Sequence, residues 1–238
     1  MSVLTALIDV TLRGLLGRRR TLLLVLLAGL PVLIALLIRV SGGRPDADRV
    51  LDTLLVRTVM PIVALVVGTA AIGSEIEDGT AVFLMIKPIP RWQIALAKAL
   101  VAAGLTVALV LPAVVLTGLL LGTRTDPTTS IIGFSVACLA GGGAYAVGFM
   151  TLSVITSRAL LVGLGYTLIW EGLLAGLLEG TKFLSVRQAT LGVAASLGVK
   201  LRDPLAPAVS VAVLAIVLAG GFALASWRLS RFEIRGGD

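Results

Sequence analysis

The sequence contains no histidine and a single cysteine, Cys138, among its 238 residues. Without histidine, imidazole acid–base catalysis and His-ligated metal centres are excluded. One cysteine cannot close an internal disulfide or build a multi-cysteine metal site, and inside an apolar run it reads as a small buried apolar residue. Charge is scarce as well. Asp, Glu, Lys and Arg make up 14% of the chain against 58% hydrophobic residues, where a soluble domain averages about 25% charged. No G-x-x-x-x-G-K-[ST] occurs anywhere, so the chain carries no P-loop of its own.

What is plentiful is long uncharged sequence, with a mean hydropathy of +1.07. The runs reach the ~20 apolar residues that a helix needs to cross a bilayer. Lipid forces such runs to be helical, because unpaired backbone polar groups in hydrocarbon cost several kcal/mol each. The fold class is therefore all-α: a polytopic membrane protein, one transmembrane domain over residues 1–238, with no room for a sizeable water-soluble domain. The net charge of +7 then reads as a topology and lipid-headgroup signal. Nucleic-acid binding would need a basic face with motif context, which is missing.

Six spans can be drawn, at about Thr21–Ile38, Thr58–Ser74, Ala99–Gly122, within Pro127–Ser157, Ala159–Leu178 and Leu205–Trp227. Arg18-Arg-Arg20 before the first run resembles the start of a signal peptide. The run is longer than a typical signal core and no small-residue cleavage site follows, so an uncleaved span is expected. Pro31, Pro61 and Pro112 fall inside spans, where neighbouring helices can accommodate them. The densest basic cluster, Arg18–Arg20, flanks the first span, which usually dominates orientation. Both termini are therefore expected in the cytoplasm.

Three stretches are not spans. In residues 2–17, Ser2, Thr5, Asp9 and Arg13 share one helical face, while Val3, Leu4, Leu7, Ile8, Leu12 and Leu15 share the other. That pattern predicts an amphipathic interfacial helix. In residues 179–203, Ser185-Val-Arg-Gln188 matches a capping box and Gly198 is a good stop, predicting an outer-side helix. It suits either a surface loop or a shallow re-entrant position. The third stretch, Glu75 to Lys98, is short, charged and punctuated by Gly79, Pro88 and Pro90.

Candidate chemistry is sparse. Glu75, Glu77 and Asp78 read as a solvated helix end rather than a metal site, because too few of them share one face. Glu171 is the one acid inside an expected span, 13 residues past Arg158, or ~20 Å along a helix. An acid at that depth calls for a partner. Arg57, at a compatible height, is the expected one, the pair either locking helices or lining an outer vestibule; a plain interhelical hydrogen bond is the alternative. Gly172 and Gly176, and the Ala140, Ala144 and Gly148 stripe beside Gly141–Gly143, favour close helix packing.

The stretch from Glu75 to Lys98 reads as a short helix across the cytoplasmic face, tied to two spans. Val82, Phe83, Leu84 and Met85 need covering, and Pro88 and Pro90 fix the chain. Glu75-x-Glu77-x-Gly79-Thr80, then Pro88-x-x-Arg91 and Ala97-Lys98, resembles the signature of ABC exporter permeases of the type-2 class. Trp170-Glu-Gly172 and Phe183-Leu-Ser-Val-Arg-Gln188 are similar to stretches of small permeases in that class. The resemblance implies an interfacial helix, six spans and a cytoplasmic coupling helix over residues 79–91. It also implies two permease protomers, identical or homologous, joined to two separate ABC ATPase subunits that hold the ATP and Mg²⁺. Glu75, Glu77, Gly79, Phe83, Pro88, Arg91 and Lys98 would form the coupling contacts, with Arg91 and Lys98 on headgroups or partner acids.

The expected function is thus the membrane-spanning subunit of an ATP-driven exporter in the cell membrane, with no cofactor or catalytic activity of its own. The alternatives are a non-transporting membrane partner, such as an immunity or assembly factor, and a membrane-embedded enzyme. With no charged lining beyond Glu171, the spans favour apolar, amphipathic or lipid-like cargo.

Overall fold

The computed structural model describes residues 3–42, 46–77, 90–121, 126–174 and 179–231, and every regular element among them is helical. α1 (Val3–Leu15) has the expected two faces. Asp9 and Arg13 are exposed and paired at 3.0 Å. Leu15 is buried, and Ile8 and Leu12 pack beside it on the core. The helix lies against the bundle rather than apart from it.

α2 (Arg18–Val40) carries Pro31 without a break. The second long helix begins well before the expected Thr58. Asp46 accepts the Asp48 N–H at 3.3 Å and starts α3 (Ala47–Val50). The chain then runs through a π-helical segment, Leu51–Val59, straight into α4 (Met60–Glu77). Buried Leu51, Leu55 and Val56 hold the extra turns in the bundle. α5 (Arg91–Leu120) and α6 (Pro127–Ile155) follow. α6 starts at Asp126, whose carboxylate takes the Thr129 N–H at 3.2 Å, with Pro127 at the first helical position, where its missing N–H costs nothing.

α7 (Ala159–Gly165) continues as a second π-helical segment, Tyr166–Leu174. A 3₁₀ turn (Glu179–Leu184), α8 (Val186–Ser196) and α9 (Pro207–Ser230) complete the order. Among the described residues, five helices are long and apolar enough to cross a membrane: Arg19–Val40, Ala47–Gly73, Arg91–Leu120, Pro127–Ile155 and Pro207–Ser230. The fifth expected span is a shorter apolar helix, Ala159–Leu173, about 22 Å long at 1.5 Å per residue. Among the described residues it is shorter than a ~30 Å hydrocarbon core, and 175–178 beyond it lie outside them. Glu171 stands where the apolar run would have to continue.

α6 is the hub, packed by α4, α5, α8 and α9. Glycine makes two of these crossings possible. A Cβ at Gly68 would sit 2.6 Å from the Ala146 carbonyl oxygen, and one at Gly141 would overlap the Thr190 side chain. A second tie fixes α9: the Thr151 hydroxyl bonds the Gly221 carbonyl at 2.9 Å. The outward faces of α2 and α9 present Leu22, Leu23, Leu37, Val211 and Ile216, as a lipid-facing surface would. The helices alternate in direction. The start of α2 and the ends of α4, α6 and α9 lie at one end of the bundle (the near end), and α3, α8 and the start of α9 at the other (the far end).

Candidate functional site

The polar centre of the molecule is at the far end, and α8 builds it. Ser185 caps this helix, its hydroxyl accepting the Gln188 N–H at 3.1 Å. The predicted capping box is therefore half realised: the Ser185 N–H goes back to the Lys182 carbonyl rather than to Gln188. Gly198, with φ +98°, stops the helix as expected. α8 is not a loop helix on the surface. Residues from Val186 to Ala194 are nearly all buried, seated against α6 and α9.

Burying a helix start leaves its first N–H groups without partners. Glu171 supplies them. Its carboxylate, 1% exposed, accepts from the Ser185 hydroxyl at 2.9 Å, the Val186 N–H at 3.0 Å and the Arg187 N–H at 3.3 Å. The Tyr166 hydroxyl donates to it at 2.8 Å from one turn earlier in the same π-helical segment. A negative charge at a helix N-terminus is also favoured by the helix dipole. The expected Glu171–Arg57 pair is thus replaced. Helix-start donors saturate the carboxylate, and no ion pair joins it to Arg57 among the described residues. Gly172, first of the predicted G-x-x-x-G pair, is exposed, and Gly176 lies outside the described residues.

Arg57 has a different setting. Together with Thr53 and Thr58 it is exposed on the π-helical segment Leu51–Val59, about 15 Å along the helix from Ala47 at 1.5 Å per residue. Arg187, by contrast, is 2% exposed, and its Nε and Nη1 make no hydrogen bond. Arg57, Glu171, Asp52 and Tyr145 surround it within electrostatic range. Burial, then Arg57, depress its affinity for the proton, while Glu171 and Asp52 oppose them; a guanidinium still keeps its charge. The Tyr145 hydroxyl lies beside Glu171 without a well-formed hydrogen bond, and Asp52 Oδ1 and Trp170 Nε1 are buried and unbonded.

Above this cluster a chamber of about 340 Å³ opens between α3 and the chain after α8. Asp46, Asp48, Asp52, Arg49, Lys200 and Arg202 line it, with Gln188. The expectation of no charged lining beyond Glu171 is corrected here. In the sequence Asp52 reads as a loop residue, yet it sits in the long helix that begins at Ala47. The signal for Asp52 was Asp46, a good N-cap eleven residues before a charged turn. No sequence signal marks Arg187 as buried.

At the near end, Glu75 and Glu77 occupy the last turn of α4 and Arg91 opens α5, half-buried. Gly79, Phe83 and Pro88, with the rest of 78–89, lie outside the described residues. Lys98 departs from its expected place on headgroups or partner acids. It is 2% exposed, and its ammonium bonds the Ala71 carbonyl at 2.7 Å, tying α5 to α4. About two turns into α5, Lys98 lies level with the Ala71 turn of α4, so the two helices close over it.

The model of the family described as ABC-2 family transporter protein matches residues 16–173. The chain belongs to the ABC-2 transporter family. It is a membrane permease component of an ABC transporter, multi-pass, from a family that works with ABC ATPase subunits. No curated protein sequence matches it significantly. The family match runs from the start of α2 to two residues past Glu171. It therefore includes the carboxylate that caps α8 but not α8 itself or Arg187.

Proposed function

We propose that this ABC-2 chain is the membrane-spanning half of an ATP-driven exporter, paired with a second protomer and driven by two separate ATPase subunits. The near end faces the cytoplasm, where residues 79–91 dock on the ATPases. ATP and Mg²⁺ act there, in the partners, and this chain contributes no catalytic group.

The observation that carries the reading is the exposed face of Thr53, Arg57 and Thr58 on the π-helical segment. An arginine turned to hydrocarbon at the centre of a span costs ~2.5–3.5 kcal/mol or more. That face therefore meets water or protein, as a path between two protomers provides. π-helical turns within α-helices are frequent at functional sites. Force reaches it from the near end. The Lys98 ammonium on the Ala71 carbonyl ties α5 to α4, and tilting that pair repositions the Arg57 face. A differential of about 5.5 kcal/mol between states takes such an equilibrium from 1:99 to 99:1.

The test is reconstitution in vesicles with the P-loop ATPase that co-purifies with the protein. ATP turnover is expected to depend on this chain, and Gly79→Pro or Arg91→Glu to lower it while assembly is retained. Unchanged turnover in both variants removes the coupling role. Failure of any ATPase to co-purify favours the non-transporting alternative.

A further inference from the structure

A cleft of about 120 Å³ lies at the near end. Its floor is one face of α4, where Val66, Thr69, Ala70 and Gly73 recur at helical spacing. Arg20, from the start of α2, forms one wall. The chain joining α6 to α7 forms the other, with Thr156, Ser157 and Leu160. Both α2 and α7 pack on α4, and the cleft is the space left between them.

The polar groups of the cleft can donate to a ligand. The Thr69 and Ser153 hydroxyls already commit their protons to the Leu65 and Met150 carbonyls, each at 2.7 Å. Thr156 Oγ1 accepts the Arg158 N–H at 3.2 Å and keeps its own proton. Ser157 is exposed, and neither its hydroxyl nor the Arg20 guanidinium has a hydrogen-bond or ion-pair partner among the described residues. No acidic residue is among the described residues of the lining. One cation and two hydroxyl donors, with no acid beside them, suit an anionic oxygen cluster. The volume is several times the ~10–15 Å³ that one water requires.

The position of the cleft identifies the carrier of that anion. Arg20 stands at the start of the span Arg19–Val40, and Thr156 directly follows the span Pro127–Ile155, at the level where lipid headgroups lie. Exposed apolar side chains continue from both walls: Leu23 one turn along α2 from Arg20, and Leu161 beside Leu160 on α7. A free anion would use the donors and leave these leucines without a role. A lipid uses both.

We propose that the near-end cleft holds the phosphodiester of an anionic membrane lipid, its oxygens accepting from Arg20, Thr156 and Ser157 and its acyl chains lying along Leu23 and Leu161. The site depends neither on which side of the membrane the near end faces nor on any ATPase, so it is separate from the coupling role of residues 79–91.

The experiment titrates the purified full chain in detergent micelles with dioleoylphosphatidylglycerol or dioleoylphosphatidylcholine and counts bound lipid by native mass spectrometry. The choline lipid would bring its own cation against Arg20. Phosphatidylglycerol is expected to bind at least about tenfold more tightly, as one charge-assisted hydrogen bond allows. Arg20→Gln is expected to abolish that preference, with thermal unfolding in lipid-free detergent unchanged, and Ser157→Ala to weaken it. Arg19→Gln removes a neighbouring exposed arginine that does not line the cleft, and is expected to keep the preference. Equal losses in Arg19→Gln and Arg20→Gln would reduce the effect to the general attraction of a basic cluster for anionic lipid. That result, an unchanged preference in Arg20→Gln, or displacement of the lipid by equimolar inorganic phosphate would overturn the proposal.

Discussion

Replacing Glu171 by alanine is expected to release the start of α8 from the bundle. The carboxylate is 1% exposed and meets four donors: two hydroxyls and two backbone N–H groups. The Tyr166 and Ser185 hydroxyls can rotate toward other acceptors. The Val186 and Arg187 N–H groups cannot, since they point along the axis of a buried helix. Each unsatisfied buried donor costs ~1–3 kcal/mol, so the pair costs ~2–6 kcal/mol. The lost interaction with the helix dipole adds ~0.3–2 kcal/mol. Glu171→Gln keeps one acceptor oxygen and the side-chain volume, and is expected to lose about half as much. The assay is hydrogen exchange in micelles, read at the amides of Val186 to Ala189, with urea unfolding for the global effect. Faster exchange confined to α8 in the alanine variant, intermediate in the glutamine variant, is expected. Unchanged protection of Val186 and Arg187 in Glu171→Ala would refute the capping role. So would a rescue of Glu171→Arg by Arg57→Glu, which would restore the ion pair in its place.

Ser185→Ala removes only the bond to the Gln188 N–H and the hydroxyl contact with Glu171, and is expected to cost ~1 kcal/mol by urea unfolding, less than Glu171→Ala. Gly141→Val places a branched side chain where Thr190 already sits; it is expected to displace α8, raise exchange along its length and destabilise by ~1–3 kcal/mol, whereas Gly141→Val with Thr190→Ala recovers part of the loss. Lys98→Met leaves the Ala71 carbonyl without its ammonium partner and is expected to lower ATPase-dependent turnover more than it lowers the unfolding midpoint, since the tie couples α4 to α5. Equal losses in both would make Lys98 a purely structural residue.

The helices were legible because lipid leaves the chain few choices. Apolar runs placed α2, α6 and α9 to within a few residues, α5 begins eight residues before the expected Ala99, and Ser185 and Gly198 marked both ends of α8. Boundaries failed where polar residues occur inside helices. Asp52 and Arg57 look like loop and helix-end residues in one dimension, yet the helix through them starts at Ala47 and turns them toward the chamber and the exposed face. Hydropathy cannot distinguish a polar residue beyond a span from one within it that faces a polar cluster, because the difference is supplied by other helices.

The same reasoning explains why the partner of Glu171 was misassigned. Sequence reasoning matched charge with charge at equal depth, and Arg57 was the cation available. In the folded chain a buried helix start offers several fixed N–H donors at one point, with a partial positive charge behind them. For a buried carboxylate that arrangement competes well with an arginine, because it requires no second long side chain to be ordered and no second full charge to be desolvated. Arg57 is thereby left to the exposed face. Arg187, whose backbone N–H serves Glu171, keeps buried side-chain donors without a hydrogen bond. One acid closing the end of a non-spanning helix thus sets the roles of both arginines. Glu171 therefore acts at the far end as structure, by holding the start of α8.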